Sequence, residues 1–142
     1  MTDWRRKQIL IVDDEQAILD VIKRIFAKNG HYEVYACGTA VEAGEFVRTD
    51  VPDLIISDFD LSEFDNGVDL ALSIRQSAKK EIPVIIMSGS PHNRQKAKIN
   101  GFEFIKKPFS CDELTAMAET SIKPERKIAA QSESLTFGSV SR

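Results

Sequence analysis

Asp13 and Asp14 stand side by side after the apolar run Gln8-Ile9-Leu10-Ile11-Val12, and a third carboxylate, Asp58, closes the run Asp53-Leu54-Ile55-Ile56-Ser57. Two more runs end in polar residues: Pro83-Val84-Ile85-Ile86-Met87 in Ser88, and Phe102-Glu103-Phe104-Ile105 in Lys106-Lys107-Pro108. Three carboxylates, a hydroxyl and an ammonium are the parts for metal-assisted phosphoryl chemistry. Adjacent carboxylates repel one another, and a small hard dication such as Mg²⁺, which takes carboxylate, carbonyl and water oxygens, removes that repulsion. A carboxylate can attack phosphorus and form an acyl phosphate. Lys107 could then pair with one phosphoryl oxygen and Ser88 donate to another, in a reaction where positioning and electrostatics supply most of the catalysis. Each residue alone has a plainer reading. Asp13-Asp14-Glu15 would favour the start of a following helix through its dipole, and a lone strand-end Asp is commonly a turn former. The chemical reading rests on four such residues closing four similar runs.

Those runs are short and rich in Ile and Val, as strands buried on both faces are. Segments of helical period separate them. The first carries Ala17, Ile18, Val21, Ile22, Ile25 and Phe26 down one face and stops at Asn29-Gly30. Tyr32-Glu33-Val34-Tyr35-Ala36 reads as a second strand, and Thr39 as the cap of a helix burying Ala40, Val41, Ala43, Gly44, Phe46 and Val47. A loop over 59–66 with Asn66-Gly67 as its turn signal leads to a third helix through Val68, Leu70, Ala71, Leu72 and Ile74. Pro91 to Asn100 offers almost no apolar face and predicts one short, exposed helix, and Ser110 caps a last helix carrying Leu114, Met117, Ala118 and Ile122. Five β-α units in succession predict a parallel sheet with helices on both faces, whose ligands gather at the carboxyl ends of the strands.

The 142 residues suit one domain, here placed at 7–122, with 123–142 a polar, serine-containing flexible tail or linker. A net charge of −3 gives no general pull toward nucleic acid or an anionic membrane. No helix-turn-helix or basic recognition element follows residue 122, so no direct nucleic-acid role is expected. Cys37 and Cys111 lack the spacing of a metal knuckle or redox pair, no apolar signal core follows the basic start, and no stretch approaches the ~20 apolar residues of a membrane span. The expectation is a single-domain protein of the cytoplasm.

In this order the motifs resemble the receiver domain of two-component response regulators, over roughly residues 7–122. Ile11-Val12-Asp13-Asp14-Glu15 is similar to the family's acidic metal motif, Asp58 to its phosphoacceptor, Met87-Ser88-Gly89 to its strand-end Ser/Thr with a small residue, and Lys107-Pro108-Phe109 to its Lys-Pro motif. The resemblance implies a flavodoxin-like doubly wound sheet in the order 2-1-3-4-5. It implies Mg²⁺ (or Mn²⁺) held by Asp14, Asp58 and the backbone carbonyl of Phe59, with Asp13 assisting directly or through water. Partners would be a sensor histidine kinase or a histidine phosphotransfer protein, with the chain a monomer or weak phosphorylation-dependent dimer. Ser88 and Phe104 would form the switch, although Phe104 could instead merely pack on a helix and lacks the hydroxyl for a polar latch. Asp60 and Ser90 occupy positions that tune the lifetime of the phosphoryl group in the family, and Asp60 could equally face solvent.

Three departures accompany the resemblance. Leu61-Ser62 replaces the usual Met-Pro in a loop about one residue longer, Asp60 adds a carboxylate beside the acceptor, and Ser88 to Lys107 is about three residues shorter than usual, nearly one helical turn. The last implies a truncated or irregular fourth helix. Asp58-Phe59-Asp60 also has the Asp-x-Asp form of haloacid dehalogenase-type phosphatases. In those enzymes, however, it closes the first strand and the acidic pair comes last, the reverse of the order here. A receiver-like interaction module that is never phosphorylated is the other alternative, disfavoured because all five core residues are present.

Overall fold

Why the strands are buried on both faces follows from their composition: residues alternate between two apolar layers, with no polar face to spare. In the computed structural model, which describes residues 5–28, 30–62 and 66–122, the elements are β1 (Lys7–Val12), α1 (Gln16–Ala27), β2 (Tyr32–Cys37), α2 (Ala40–Phe46), β3 (Leu54–Asp58), α3 (Gly67–Ala78), β4 (Val84–Ser88), a 3₁₀ turn (Pro91–Asn93), α4 (Arg94–Ile99), β5 (Glu103–Lys106) and α5 (Cys111–Ile122). The five strands form one parallel sheet in the order β2-β1-β3-β4-β5. Odd-numbered Ile9 and Ile11 face Leu19, Ile22 and Phe26 of α1 and Leu114 and Ala118 of α5. Even-numbered Leu10 and Val12 face the opposite layer, with Ala43 of α2, Val68 and Ile74 of α3, and Ala97 of α4. Each fully buried Ile, Leu or Val contributes about 1.5–3 kcal/mol, so a one-residue slip of any central strand would exchange its layers and is strongly disfavoured.

Helix starts match their capping residues. Thr39 Oγ1 accepts from Glu42 N–H and Asn66 Oδ1 from Asp69 N–H. Ser110 and Glu113 form a reciprocal capping box at 3.0 and 2.9 Å. Two apolar faces are narrower than their sequence suggests. Val21 is 44% exposed because it stands about 100° around the helix from buried Ile22, and α2, packed near the β2 edge, fully buries Ala43 while Val41 remains 61% exposed. The expected short fourth helix is divided into the 3₁₀ turn and six residues of α4, whose buried residue is Ala97. The expectations for residues 123–142, and for the path of the loop at 63–65, lie outside the described residues.

Candidate functional site

The strand order sets the central pair β1 and β3 side by side, with Val12 opposite Ser57, so Asp13 and Asp58 leave the sheet together. Asp13 is fully buried; its Oδ1 accepts from Glu15 N–H at 2.9 Å and its Oδ2 from Lys107 Nζ at 3.0 Å. Lys107 Nζ also lies 3.2 Å from Asp58 Oδ1. Backbone brings it there: Lys107 N–H donates to the Ser88 carbonyl at 2.8 Å, continuing the β4–β5 ladder past Lys106. Asp14 is exposed at the mouth. Asp13, Asp14 and Asp58 each offer an oxygen within 4.8 Å of the others. One ammonium among three carboxylates leaves net negative charge, and an oxygen-rich donor set of this kind suits a hard dication. Phe59, next in line, is fixed at both ends: its N–H donates to the Met87 carbonyl at 2.8 Å and its carbonyl accepts from Gly67 N–H at 2.7 Å. That carbonyl keeps a second lone pair for a further partner.

Burial pushes the Asp58 carboxyl up to about 6, and the neighbouring charges of Asp13 and Asp60 add to the rise against the opposing pull of Lys107. Burial alone would lower the Lys107 ammonium, but its bond to Asp13 and the charges of Asp13 and Asp58 win, and the net direction is upward. Lys107 therefore stays a cation, and Asp58 is the carboxylate that has most to gain from added positive charge. Cys37, across the ladder from Val12, is no competing nucleophile, because burial and the nearby Glu42 raise its thiol to about 11.

Ser88 ends β4 beside Asp58's strand and is fully buried, yet its hydroxyl bonds elsewhere. Its Oγ accepts from Ser90 N–H at 3.0 Å and from Asn93 Nδ2 at 2.9 Å, with a longer 3.4 Å contact to the Ser90 carbonyl. Phe104 is 6% exposed and packs in the layer of α2, α3 and α4, while Ile105 belongs to the other layer. Asp60 is exposed, although its charge reaches Asp58. Ser90 is half-buried at the start of the 3₁₀ turn.

The family model for the response regulator receiver domain matches residues 9–119. The chain belongs to that family. It is 32% identical over 120 residues to the transcriptional regulatory protein YvrH of Bacillus subtilis (strain 168), covering 81% of this chain and 48% of that protein. It is 28% identical over 130 residues to the alkaline phosphatase synthesis transcriptional regulatory protein PhoP of the same organism, covering 89% of this chain and 53% of that one. The chain thus spans about half the length of these curated relatives. Among solved structures, the receiver domain of NtrX from Brucella abortus is 31% identical with a TM-score of 0.73, over 81% of this chain and 98% of that one. The flavodoxin-like strand order and the response regulator class are those expected from sequence.

Within the receiver frame, Asp13, Asp14, Asp58 and Lys107 form one cluster, and Ser88 borders it with its hydroxyl engaged on the α4 side. Three contributors were not singled out from sequence. Gly67, read only as a turn residue, lies so close to β3 that a Cβ there would overlap the Asp58 carbonyl oxygen and come within 2.8 Å of Ser57 Oγ. Ser57 Oγ donates to that same carbonyl at 2.9 Å. Asn93 reaches Ser88 across five residues. The Asn66-Gly67 dipeptide carried a signal for the first; nothing in residue type or spacing points to the other two.

Proposed function

We propose that Asp58 accepts a phosphoryl group from the phosphohistidine of a sensor histidine kinase or histidine phosphotransfer protein, and that this chain catalyses both its own phosphorylation and its dephosphorylation. Lys107, bridging Asp13 and Asp58 within a three-carboxylate cluster, is the observation that carries the reading. An Asp58 oxygen attacks phosphorus, the phosphorus–nitrogen bond to the donor breaks, and the imidazole leaves; water later cleaves the acyl phosphate. Lys107 offers its ammonium to a phosphoryl oxygen, and Asp13 orients that ammonium. When bound by Asp14, Asp58 and the Phe59 carbonyl, with Asp13 behind, Mg²⁺ or Mn²⁺ supplies the remaining positive charge on the phosphoryl oxygens. Asp60 and Ser90 flank the acceptor and set how long the phosphoryl group survives. The working unit is residues 7–122, in the cytoplasm, a monomer or weak phosphorylation-dependent dimer that signals by a change of surface shape.

Phosphoramidate or acetyl phosphate with Mg²⁺ tests this by intact mass. The wild type gains one phosphoryl group and Asp58→Asn gains none; an equal adduct yield in the variant overturns the assignment. Lys107→Ala is expected to bind beryllofluoride yet lose the accompanying chemical-shift changes at Phe104 and α4. Wild-type shift changes in that variant count against Lys107 as the link to output.

A further inference from the structure

We infer that Asn93 is a positioning residue that holds the Ser88 hydroxyl on the α4 side, and that phosphorylation must displace it to recruit Ser88; this rests on the receiver reading above. Both acceptor positions of Ser88 Oγ are filled from the 3₁₀ turn, by Ser90 N–H at 3.0 Å and Asn93 Nδ2 at 2.9 Å. The turn closes on itself as well, because Asn93 N–H donates to the Ser90 carbonyl at 3.1 Å. Ser88 Oγ is thus the buried hub around which Ser90 and Asn93 fold. Among the described residues its hydrogen-bond partners all lie in this turn, and none is Asp58 or Lys107.

That arrangement accounts for the shape of the fourth helix. Asn93 leads directly into α4. The helix is short and buries Ala97, so little apolar packing holds its first turn apart from the tie to Ser88. A phosphoryl group on Asp58 brings charged acceptor oxygens next to β4, and a hydrogen bond to a charged group is stronger than one between neutral groups. Once Ser88 turns toward those oxygens, the Asn93 amide loses its acceptor and the 3₁₀ turn is released. The polar link between site and surface therefore runs through an amide, while Phe104, without a hydroxyl, contributes sterically. Asn93 sets the balance between the two positions of Ser88 and touches neither phosphorus nor metal.

The test is the affinity of the Mg²⁺ form for beryllofluoride, with hydrogen exchange of α4 in the unmodified protein as a second readout. Asn93→Ala is expected to bind beryllofluoride about three- to tenfold more tightly, the range given by one neutral hydrogen bond, with Mg²⁺ affinity unchanged. In a Ser88→Ala background, Asn93→Ala should have no effect on beryllofluoride. Before any modification, Asn93→Ala and Ser88→Ala should each speed exchange at 94–100 and leave α1 and α5 alone. Equal or weaker beryllofluoride binding by Asn93→Ala, or an undiminished effect in the Ser88→Ala background, overturns the latch. Unchanged exchange at 94–100 in both variants also overturns it. Failure of the wild type to bind beryllofluoride at all overturns the receiver reading instead, and the release step with it.

Discussion

The ends of β3 and β4 lie side by side but are held by different kinds of bond. At the end of β3, backbone does the holding: Phe59 is bonded through both its N–H and its carbonyl, and Gly67 packs directly on the Asp58 carbonyl. At the end of β4, a serine hydroxyl is held by a side-chain amide and one N–H of a three-residue turn. Beyond it stands a six-residue helix with Ala97 as its buried residue. Backbone bonds in the first region cannot be exchanged without unfolding it, whereas each bond in the second is worth about 1 kcal/mol and has a competitor nearby. Chemistry needs atoms that stay put, and a report to the surface needs an element of low local stability. This receiver places the two on adjacent strands.

The largest expected effect strikes the β3 side. Gly67→Ala forces a methyl group into a backbone carbonyl that has nowhere to retreat, and should cost at least about 3 kcal/mol, at or beyond the usual range for overpacking. Gly89, directly after Ser88, is its counterpart on β4: a Cβ there meets nothing within 4 Å. Gly89→Ala should therefore change stability by less than about 1 kcal/mol in either direction. Urea unfolding of the two variants gives both numbers. Equal costs would remove the distinction between the two strand ends.

How much of this was legible in sequence divides along the same line. Asp13, Asp14, Asp58, Ser88 and Lys107 could be read in order because each closes an apolar run, and a parallel sheet turns that order into proximity. The alternation of Ile9, Leu10, Ile11 and Val12 between two layers was likewise implicit in an unbroken apolar strand. Side-chain reach was not legible. Whether Ser88 Oγ bonds toward Asp58 or toward Asn93 depends on one rotamer and on where a short polar segment turns, and His92-Asn93-Arg94 has no periodicity to fix that. The narrow face of α2 was also hidden, since burial of Val41 is decided by where the sheet edge ends and not by helical spacing.

A second, smaller contrast follows from charge. With its carboxyl raised to about 6, Asp58 binds a proton more tightly in the folded chain than at its ordinary value of 3.8. Below about pH 4 the group is protonated in both states and burial carries no ionic cost; that stability is lost as pH rises through about 6. Asp58→Asn should thus stabilise the metal-free protein at pH 8, by no more than about 3 kcal/mol, and the gain should vanish near pH 4. Added Mg²⁺ should narrow the gap at pH 8, because it binds the folded wild type. Ser88→Ala, on the neutral strand end, should show an offset independent of pH. Denaturant midpoints across this range, in EDTA, decide it. A gain from Asp58→Asn that persists at pH 4 would mean that packing, not charge, strains the end of β3.

The smallest effect tests the other half of the comparison. Ile99 is 74% exposed on α4 and shares a shallow surface pocket with His92, Gln95, Lys96 and Asn100. If α4 is held mainly by the tie to Ser88 and by Ala97, removing apolar surface from Ile99 should barely register. Ile99→Ser is expected to shift stability by less than about 0.5 kcal/mol, as surface changes away from special features do. Hydrogen exchange at 94–100 should stay at the wild-type rate. A cost above about 1 kcal/mol, with faster exchange confined to α4, would show that this helix is anchored by its own packing. The end of β4 would then be as firmly held as the end of β3, and Ser88 would have to move without taking the helix with it.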